Sequence, residues 1–462
     1  MLASLYPYFR FPRNLIFLVP LTMLLSGAVV SYHYILDDPW VNKEEATVSG
    51  SLSTPKDDGL GQVIVFISIS GGGFRAAAFS YGVLDALSSL NVNGEHAQPG
   101  KNSIFENEID IISGVSGGAI TAAHLATNFQ TPGNFQLLHT SFLKKDAELR
   151  IRTQALIYFW NWFPLIFTNY SLTNIAAQHY DSELFHSKTF KDLPLRPHLI
   201  LNATDIAAKH RFEFTRDQFT CIGSSWRDFR IADAVAASAA YPGAFNPLLL
   251  KNFNKNHFAC RKGEGYQNLG EAYADRIRYT YLHLADGGVA DNTGLFALRS
   301  RLFALDGPFL RKLNAHCLKG VLLLVIDVST KIGTRHGTRP HVGLADQLLT
   351  SVNMIHDRAE GKTLKDIRDL LIRYTSFFTP AESPVVKEVH IGLNDAAPFL
   401  RDSLSQIPTR LVLQDQELET LITTGRALAQ TKGDDIQAFF REASSKTLRP
   451  CSPFNLSPSR KQ

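Results

Sequence analysis

Ile109-Asp110-Ile111-Ile112-Ser113-Gly114-Val115-Ser116-Gly117-Gly118 is the stretch on which the reading of the fold turns. A run of strand-forming residues breaks at glycine. A serine then stands between glycines, and an apolar helical segment runs from Ala119 to about Phe129. In that setting G-x-S-x-G reads as a tight strand-to-helix turn that lifts the serine hydroxyl out of a sheet. Gly114 and Gly118 remove the Cβ clashes that such a turn would create. The helix N-terminus beneath favours negative charge. Ser116 is therefore the candidate nucleophile. The pattern alone is common by chance; the strand before it and the helix after it supply the context.

Working outward, the same architecture recurs. Val63–Ile69 is a nearly continuous apolar run, as expected for a strand buried on both faces. Gly71-Gly72-Gly73 follows, then a helix from Phe74 to about Leu90. Consecutive glycines let backbone N–H groups face an oxyanion, and losing one such donor typically costs about 3 kcal/mol. Arg75 is placed either to brace this loop or to meet a phosphate head group. A dinucleotide-binding loop fits poorly: the third glycine of G-x-G-x-x-G would fall on Ala76. A third site follows the strand Tyr281–Leu284, where Asp286-Gly287-Gly288 places a carboxylate at a strand end. It could accept the serine proton. Asp-Gly is also a favoured plain turn. Three strand-end sites in one α/β domain favour the functional reading. With further strands at His198–Asn202 and Val321–Ile326, the alternation of strands and helices predicts a layered α/β domain with a largely parallel sheet.

The chain has 462 residues, 45% hydrophobic and 19% charged, enough for one large core with extensions. Its net charge of +4 is spread without a Lys/Arg block, so no nucleic-acid partner is expected. No cofactor is called for, and no metal-ligand cluster or CxxC pair is visible. Cys221, Cys260, Cys317 and Cys451 read as ordinary thiols, with a Cys221–Cys260 bridge as the alternative. Leu15–Leu36 is almost wholly apolar and could cross roughly 30 Å of hydrocarbon. Arg10 and Arg13 precede it, while Asp37 and Asp38 follow. The positive-inside rule then leaves the body on the non-cytoplasmic side. Two readings stand: a single-pass anchor, or a signal peptide cut after small residues such as Ser26 and Ala28. The aromatic run at 155–167 reads as core packing, with a lipid-facing lid as the alternative.

A Ser-His-Asp triad would need a histidine after the acid. His316, His336, His341, His356 and His390 qualify by order, but none lies in a motif that marks a base. His124, on the helix after the nucleophile, reads as a packed side chain. A non-catalytic lipid-binding protein is the rival from another class.

Taken together and in this order, the three motifs resemble the patatin-like phospholipase family. The likeness runs from about Val63 to about Ser329. It takes in Tyr180-Asp181 with Leu184-Phe185, Asn202-Ala203-Thr204-Asp205 and the stretch Ala237–Phe245, and continues weakly through Ile407-Pro408-Thr409 and the last helix. Ser70 and Gly288 depart from many relatives. The resemblance implies a three-layer α/β/α fold and hydrolysis of acyl lipids or phospholipids at a membrane by a Ser-Asp dyad. Ser116 matches the nucleophile, Asp286 the base and Gly71, Gly72 and Gly73 the oxyanion hole, with Arg75, Gly114, Gly118, Gly287 and Gly288 in support. The expected organisation is a signal or anchor segment at 1–36, a linker at 37–61, the catalytic domain at 62–330 and a C-terminal helical extension packed on it at 331–462. That last part is expected to carry a helical segment around 343–373, a strand at Val385–Ile391 and a helix from Asp415 to about Gln430.

Overall fold

A computed structural model describes residues 40–45, 61–90, 92, 108–129, 131, 134–156, 170–254, 273–275, 277–302, 308–329, 363–376, 378–407 and 409–448. The apolar segment at Leu15–Leu36, most of the aromatic run, and His336, His341 and His356 lie outside these residues. Among the described residues, no helix is long and apolar enough to cross a membrane.

Among the described residues, eight strands form one sheet: β1 (Val63–Ile69), β2 (Ile109–Val115), β3 (His198–Asp205), β4 (His210–Glu213), β5 (Leu248–Lys251), β6 (Tyr281–Asp286), β7 (Gly320–Asp327) and β8 (Val385–Gly392). The order is β5-β6-β3-β2-β1-β7-β8, with β4 paired to β3. In β1, Val65, Ile67 and Ile69 face one hydrophobic core while Ile64 and Phe66 face another. β7 divides the same way, with Leu322, Leu324 and Ile326 on one side and Val321, Leu323 and Val325 on the other. A period of two over an unbroken apolar run feeds both faces, which is why these strands lack polar alternation. The first core is covered by α1 (Gly73–Ser88), α2 (Gly117–Asn128), α3 (Leu172–Tyr180), α4 (Ile231–Ser238), α6 (Asp415–Thr431) and α7 (Gly433–Ser445). The second is covered by α5 (Leu295–Leu302) and its neighbours. The three layers implied by the family resemblance are present.

The expectation of a largely parallel sheet needs correction, because the sheet is mixed. β1, β2, β3, β7 and β8 run parallel, but β3–β4, β3–β6 and β5–β6 are antiparallel. Only residues 206–209 separate β3 from β4, too few for the crossover a parallel pair requires. The antiparallel arm also decides where the site forms. β3 outruns β2: Val115 pairs with Asn202, and the next residue, Ala203, pairs with Asp286. β6 thus descends beside the overhang of β3 until its last residue stands level with Ser116.

Residues beyond 330 are part of this body. β8 extends the sheet in parallel with β7. α6 crosses α1 where a Cβ on Gly82 would lie 2.2 Å from the Ile422 carbonyl and one on Gly425 would lie 2.4 Å from that of Phe79. Residues 40–45, read as linker, dock on the edge strand β5. The Asn42 amide accepts from the Lys251 N–H at 2.8 Å and donates to its carbonyl at 2.9 Å. The cysteine expectation is also corrected: Cys221 and Cys317 are buried and disulfide-bonded, not free thiols.

Candidate active site

Ser116 occupies the turn between β2 and α2 with φ 51° and ψ −123°. A non-glycine residue at positive φ is costly and persists only where the surroundings enforce it. Those surroundings are glycines. A Cβ on Gly114 would lie 2.8 Å from the Ala119 Cα, and one on Gly118 2.5 Å from the Ser70 carbonyl. The tightest is Gly117, whose Cβ would lie 1.8 Å from the Gly73 carbonyl. The motif reading assigned Gly117 no part, yet it lets the serine turn press against the glycine loop. The Ser116 N–H donates to Ser238 Oγ at 2.9 Å, and that hydroxyl donates to the Asn202 carbonyl at 2.6 Å. This anchor through α4 was not foreseen; Ser238 lies within the Ala237–Phe245 stretch that marked the family likeness.

Ser116 Oγ donates to Asp286 Oδ2 at 2.8 Å. The other carboxylate oxygen, Oδ1, accepts from the Gly288 N–H at 2.7 Å. The backbone of Asp286 is pinned by its N–H to the Ala240 carbonyl at 2.9 Å and by Thr204 Oγ1 to its carbonyl at 2.8 Å. Gly287 permits close approach to β3, since a Cβ there would lie 2.2 Å from the Asn202 carbonyl. Asp286 is buried, and burial lifts its pKa to about 6, against the lowering effect of the hydrogen bonds from Ser116 and Gly288. The carboxylate is thus poised near neutrality and in direct contact with the hydroxyl.

No histidine stands between the two among the described residues. His390 faces Asp395 at 3.2 Å through Nδ1 and Asp327 at 3.8 Å through Nε2. His316 packs on Phe378 beside Glu382. His124 is buried against Phe135, as expected of a packing residue.

In the glycine loop, Gly72 and Gly73 adopt φ 143° and 60°, outside the range of ordinary side chains. Their N–H groups make no hydrogen bond among the described residues. Gly71 differs: its N–H donates to the Asn292 carbonyl at 2.8 Å. Of the three glycines expected to line an oxyanion hole, the Gly71 amide is thus already taken, while, among the described residues, those of Gly72 and Gly73 are not. The Asn292 side chain wedges between both loops, its Oδ1 2.5 Å from where a Gly71 Cβ would sit and 3.0 Å from where a Gly288 Cβ would sit. Sequence reasoning missed Asn292, although it stands only four residues past Gly288. Ser70 finds its use here, since Ser70 Oγ accepts from the Val328 N–H at 2.8 Å and ties the loop to the end of β7.

Arg75 is buried and braces the loop: Nη1 donates to the Ile407 carbonyl at 3.0 Å. Burial lowers its pKa to about 10, and the charge of Asp327 opposes that shift. Beside it the Phe74 N–H donates to the Arg410 carbonyl at 3.0 Å. Ile407 and Arg410 thus hold the glycine loop from outside.

A three-layer α/β/α sandwich with a serine at a strained strand-to-helix turn, touching a carboxylate beside a glycine loop, has the layout of a serine acyl-transfer fold. The family model for patatin-like phospholipase matches residues 67–299, half of the chain, and the chain belongs to that family. No curated protein matches it closely enough to count. Among solved structures it is similar to human GIVD cytosolic phospholipase A2, at 11% identity and a TM-score of 0.46 over 92% of this chain and 66% of that one. The same human protein in complex with methyl gamma-linolenyl fluorophosphonate aligns at 14% identity and a TM-score of 0.41, over 91% and 63% of the two chains. VipD from Legionella pneumophila aligns at 14% identity and a TM-score of 0.32, over 86% and 70%. The chain thus spans just under two thirds of the length of the human protein it matches.

Proposed function

We propose that this protein is a serine lipid acyl hydrolase that cleaves acyl lipids or phospholipids with a Ser116–Asp286 dyad. The observation that carries the reading is the 2.8 Å hydrogen bond from Ser116 Oγ to a buried carboxylate whose pKa is raised to about 6. Asp286 takes the hydroxyl proton as Ser116 Oγ attacks the acyl carbon. The oxyanion forms against the Gly72 and Gly73 amides at the N-terminus of α1. Asp286 then protonates the leaving alcohol. In the second half, water attacks the acyl-enzyme with Asp286 again as base. Because the active carboxylate is ionised, activity rises with pH through about 6.

The substrate class rests on family membership. A place on the non-cytoplasmic side is supported by the apolar segment Leu15–Leu36 with its flanking charges, and by disulfides at Cys221 and Cys317, which persist in oxidising compartments. A fluorophosphonate probe followed by peptide mass spectrometry tests the nucleophile. The adduct is expected on Ser116 and absent from Ser116→Ala, whose lipid hydrolysis falls by about 10⁴-fold or more with no change in thermal unfolding. An adduct on another residue, or an active Ser116→Ala variant, removes the proposal.

A further inference from the structure

Residues 40–45 are fastened to the body by more than the Asn42 amide. The Val41 N–H donates to the Leu249 carbonyl at 3.3 Å. The Lys43 carbonyl accepts from the Ser225 N–H at 2.9 Å and from Ser224 Oγ at 2.8 Å. The Trp40 ring lies 5.8 Å from that of Tyr281, with Lys251 Nζ 3.6 Å from its centroid. Trp40 is thereby fixed at the rung where Lys251 of β5 stands opposite Tyr281 of β6.

Strand directions say where that rung stands. β1, β2 and β3 run in parallel, and Ser116 follows the last residue of β2. β6 runs against β3 and reaches the level of Ser116 at Asp286. Tyr281, five residues earlier on that strand, therefore stands roughly 17 Å beyond the dyad, on the carboxyl-end side of the parallel strands. That is the side on which sites of open α/β sheets form. Three exposed apolar side chains stand at this end. Ile277, in the turn entering β6, is 96% exposed, and Tyr281 is exposed after it. Ile206, whose N–H donates to the His283 carbonyl at 3.1 Å, is the third. Tryptophan and tyrosine beside a lysine are the side chains of a membrane interface.

The tether is short. Only Asp37, Asp38 and Pro39 separate Trp40 from Leu15–Leu36, the apolar segment read as an anchor. Four Cα steps span at most about 14 Å. A body hung on a long linker could turn any face to the bilayer. One gripped four residues from its anchor cannot.

Resting on that anchor reading and on the Ser116–Asp286 dyad, we propose that residues 40–45 dock the carboxyl end of the sheet on the bilayer that holds Leu15–Leu36. Trp40, Ile277 and Tyr281 face the lipid, and the enzyme works on acyl lipids of its own membrane. The opposite end of the sheet faces water; there Leu195, just before β3, is 79% exposed.

Hydroxyl-radical footprinting of the full chain in phosphatidylcholine–phosphatidylglycerol vesicles tests the docking on two aliphatic side chains of similar reactivity. Ile277 should be oxidised several-fold less than Leu195, although it is the more exposed of the two in the protein alone. Equal oxidation, or protection of Leu195 in place of Ile277, overturns the docking, as does an intact mass showing the chain cut after Ala28. Ile277→Asp should slow hydrolysis of vesicle phospholipid several-fold and leave hydrolysis of p-nitrophenyl butyrate unchanged. An unchanged vesicle rate also overturns the docking. Fluorophosphonate labelling keeps the two readings apart. Labelled Ser116 with Ile277 and Leu195 oxidised alike rejects the docking alone, whereas failure to label Ser116 in the wild type rejects the dyad beneath it.

Discussion

The two halves of the site are built differently. Ser116 sits on one contiguous strand–turn–helix, β2 through α2, where the glycines between 114 and 118 make room for its strained backbone and Ser238 takes its N–H. The glycine loop proposed as the oxyanion hole is contiguous too, yet it is held from afar. Asn292 takes the Gly71 N–H, Ile407 takes the Arg75 guanidinium and Arg410 takes the Phe74 N–H. The family match ends at residue 299, so two of these three clamps come from beyond it. Local geometry aims the serine. Distant chain sets the donors it works against.

The comparison is broken most severely at Gly73. It lies at φ 60°, and a Cβ there would lie 2.9 Å from the Arg410 carbonyl. Gly73→Ala should displace a donor amide and lower kcat by about 10²–10³-fold, the cost of one lost oxyanion donor. Fluorophosphonate labelling should be slowed in step, because the phosphonyl oxygen occupies the same place. A variant with normal kcat would separate this loop from the chemistry.

Arg75→Met sharpens the comparison, because it unfastens the remote clamp and leaves the serine turn alone. The lost hydrogen bond to Ile407 should lower stability by about 1–3 kcal/mol in urea unfolding. It should also lower kcat about tenfold on phospholipids and on neutral esters alike. A loss confined to phospholipids would assign Arg75 to the phosphate group and not to the brace.

This division accounts for what could be read before any coordinates. Strands such as β1 and β7 were legible because an apolar run long enough to face two cores has few other uses. The contact of Ser116 with Asp286 beside the glycine turns was legible because these positions demand residue types: a hydroxyl, a carboxylate, positive φ. The clamps were not. Ile407 and Arg410 act through backbone carbonyls, which carry no residue identity. Ser238 lies in the stretch Ala237–Phe245 that carried the family likeness, but nothing in that stretch says which side chain meets the Ser116 N–H. The antiparallel arm hid for a related reason. β4 and β5 have four residues each, too short for periodicity to register, and β6 gives no sign of its direction. Gly71 was grouped with its neighbours because nothing in three identical residues reveals that one amide is already taken.

The smallest effect is expected at the far end of the sheet. Asp110, at the start of β2, is buried beside Arg196 and accepts from the Val65 N–H at 2.8 Å. Burial raises its pKa to about 7, against the opposing pull of Arg196. Its charged form is therefore penalised in the folded state. Its contribution to stability is greatest below the unfolded value near 3.8 and falls as pH rises towards about 7. Asp110→Asn keeps an acceptor for Val65. It should be no more stable than the wild type at pH 4, more stable at pH 8, and unchanged in kcat at either. Chemical denaturation at the two pH values reads this directly; a kcat change would tie the two ends of β2 together.

The most direct test of the account is the pH dependence of kcat/KM for the wild type and Asp286→Asn. With the 2.8 Å contact in place and the carboxylate at about 6, the wild type should show one acid limb near that value. Asp286→Asn should lose the limb and keep a low, flat rate. A limb that survives in Asp286→Asn, or a variant that turns over like the wild type, would mean that some other group takes the serine proton.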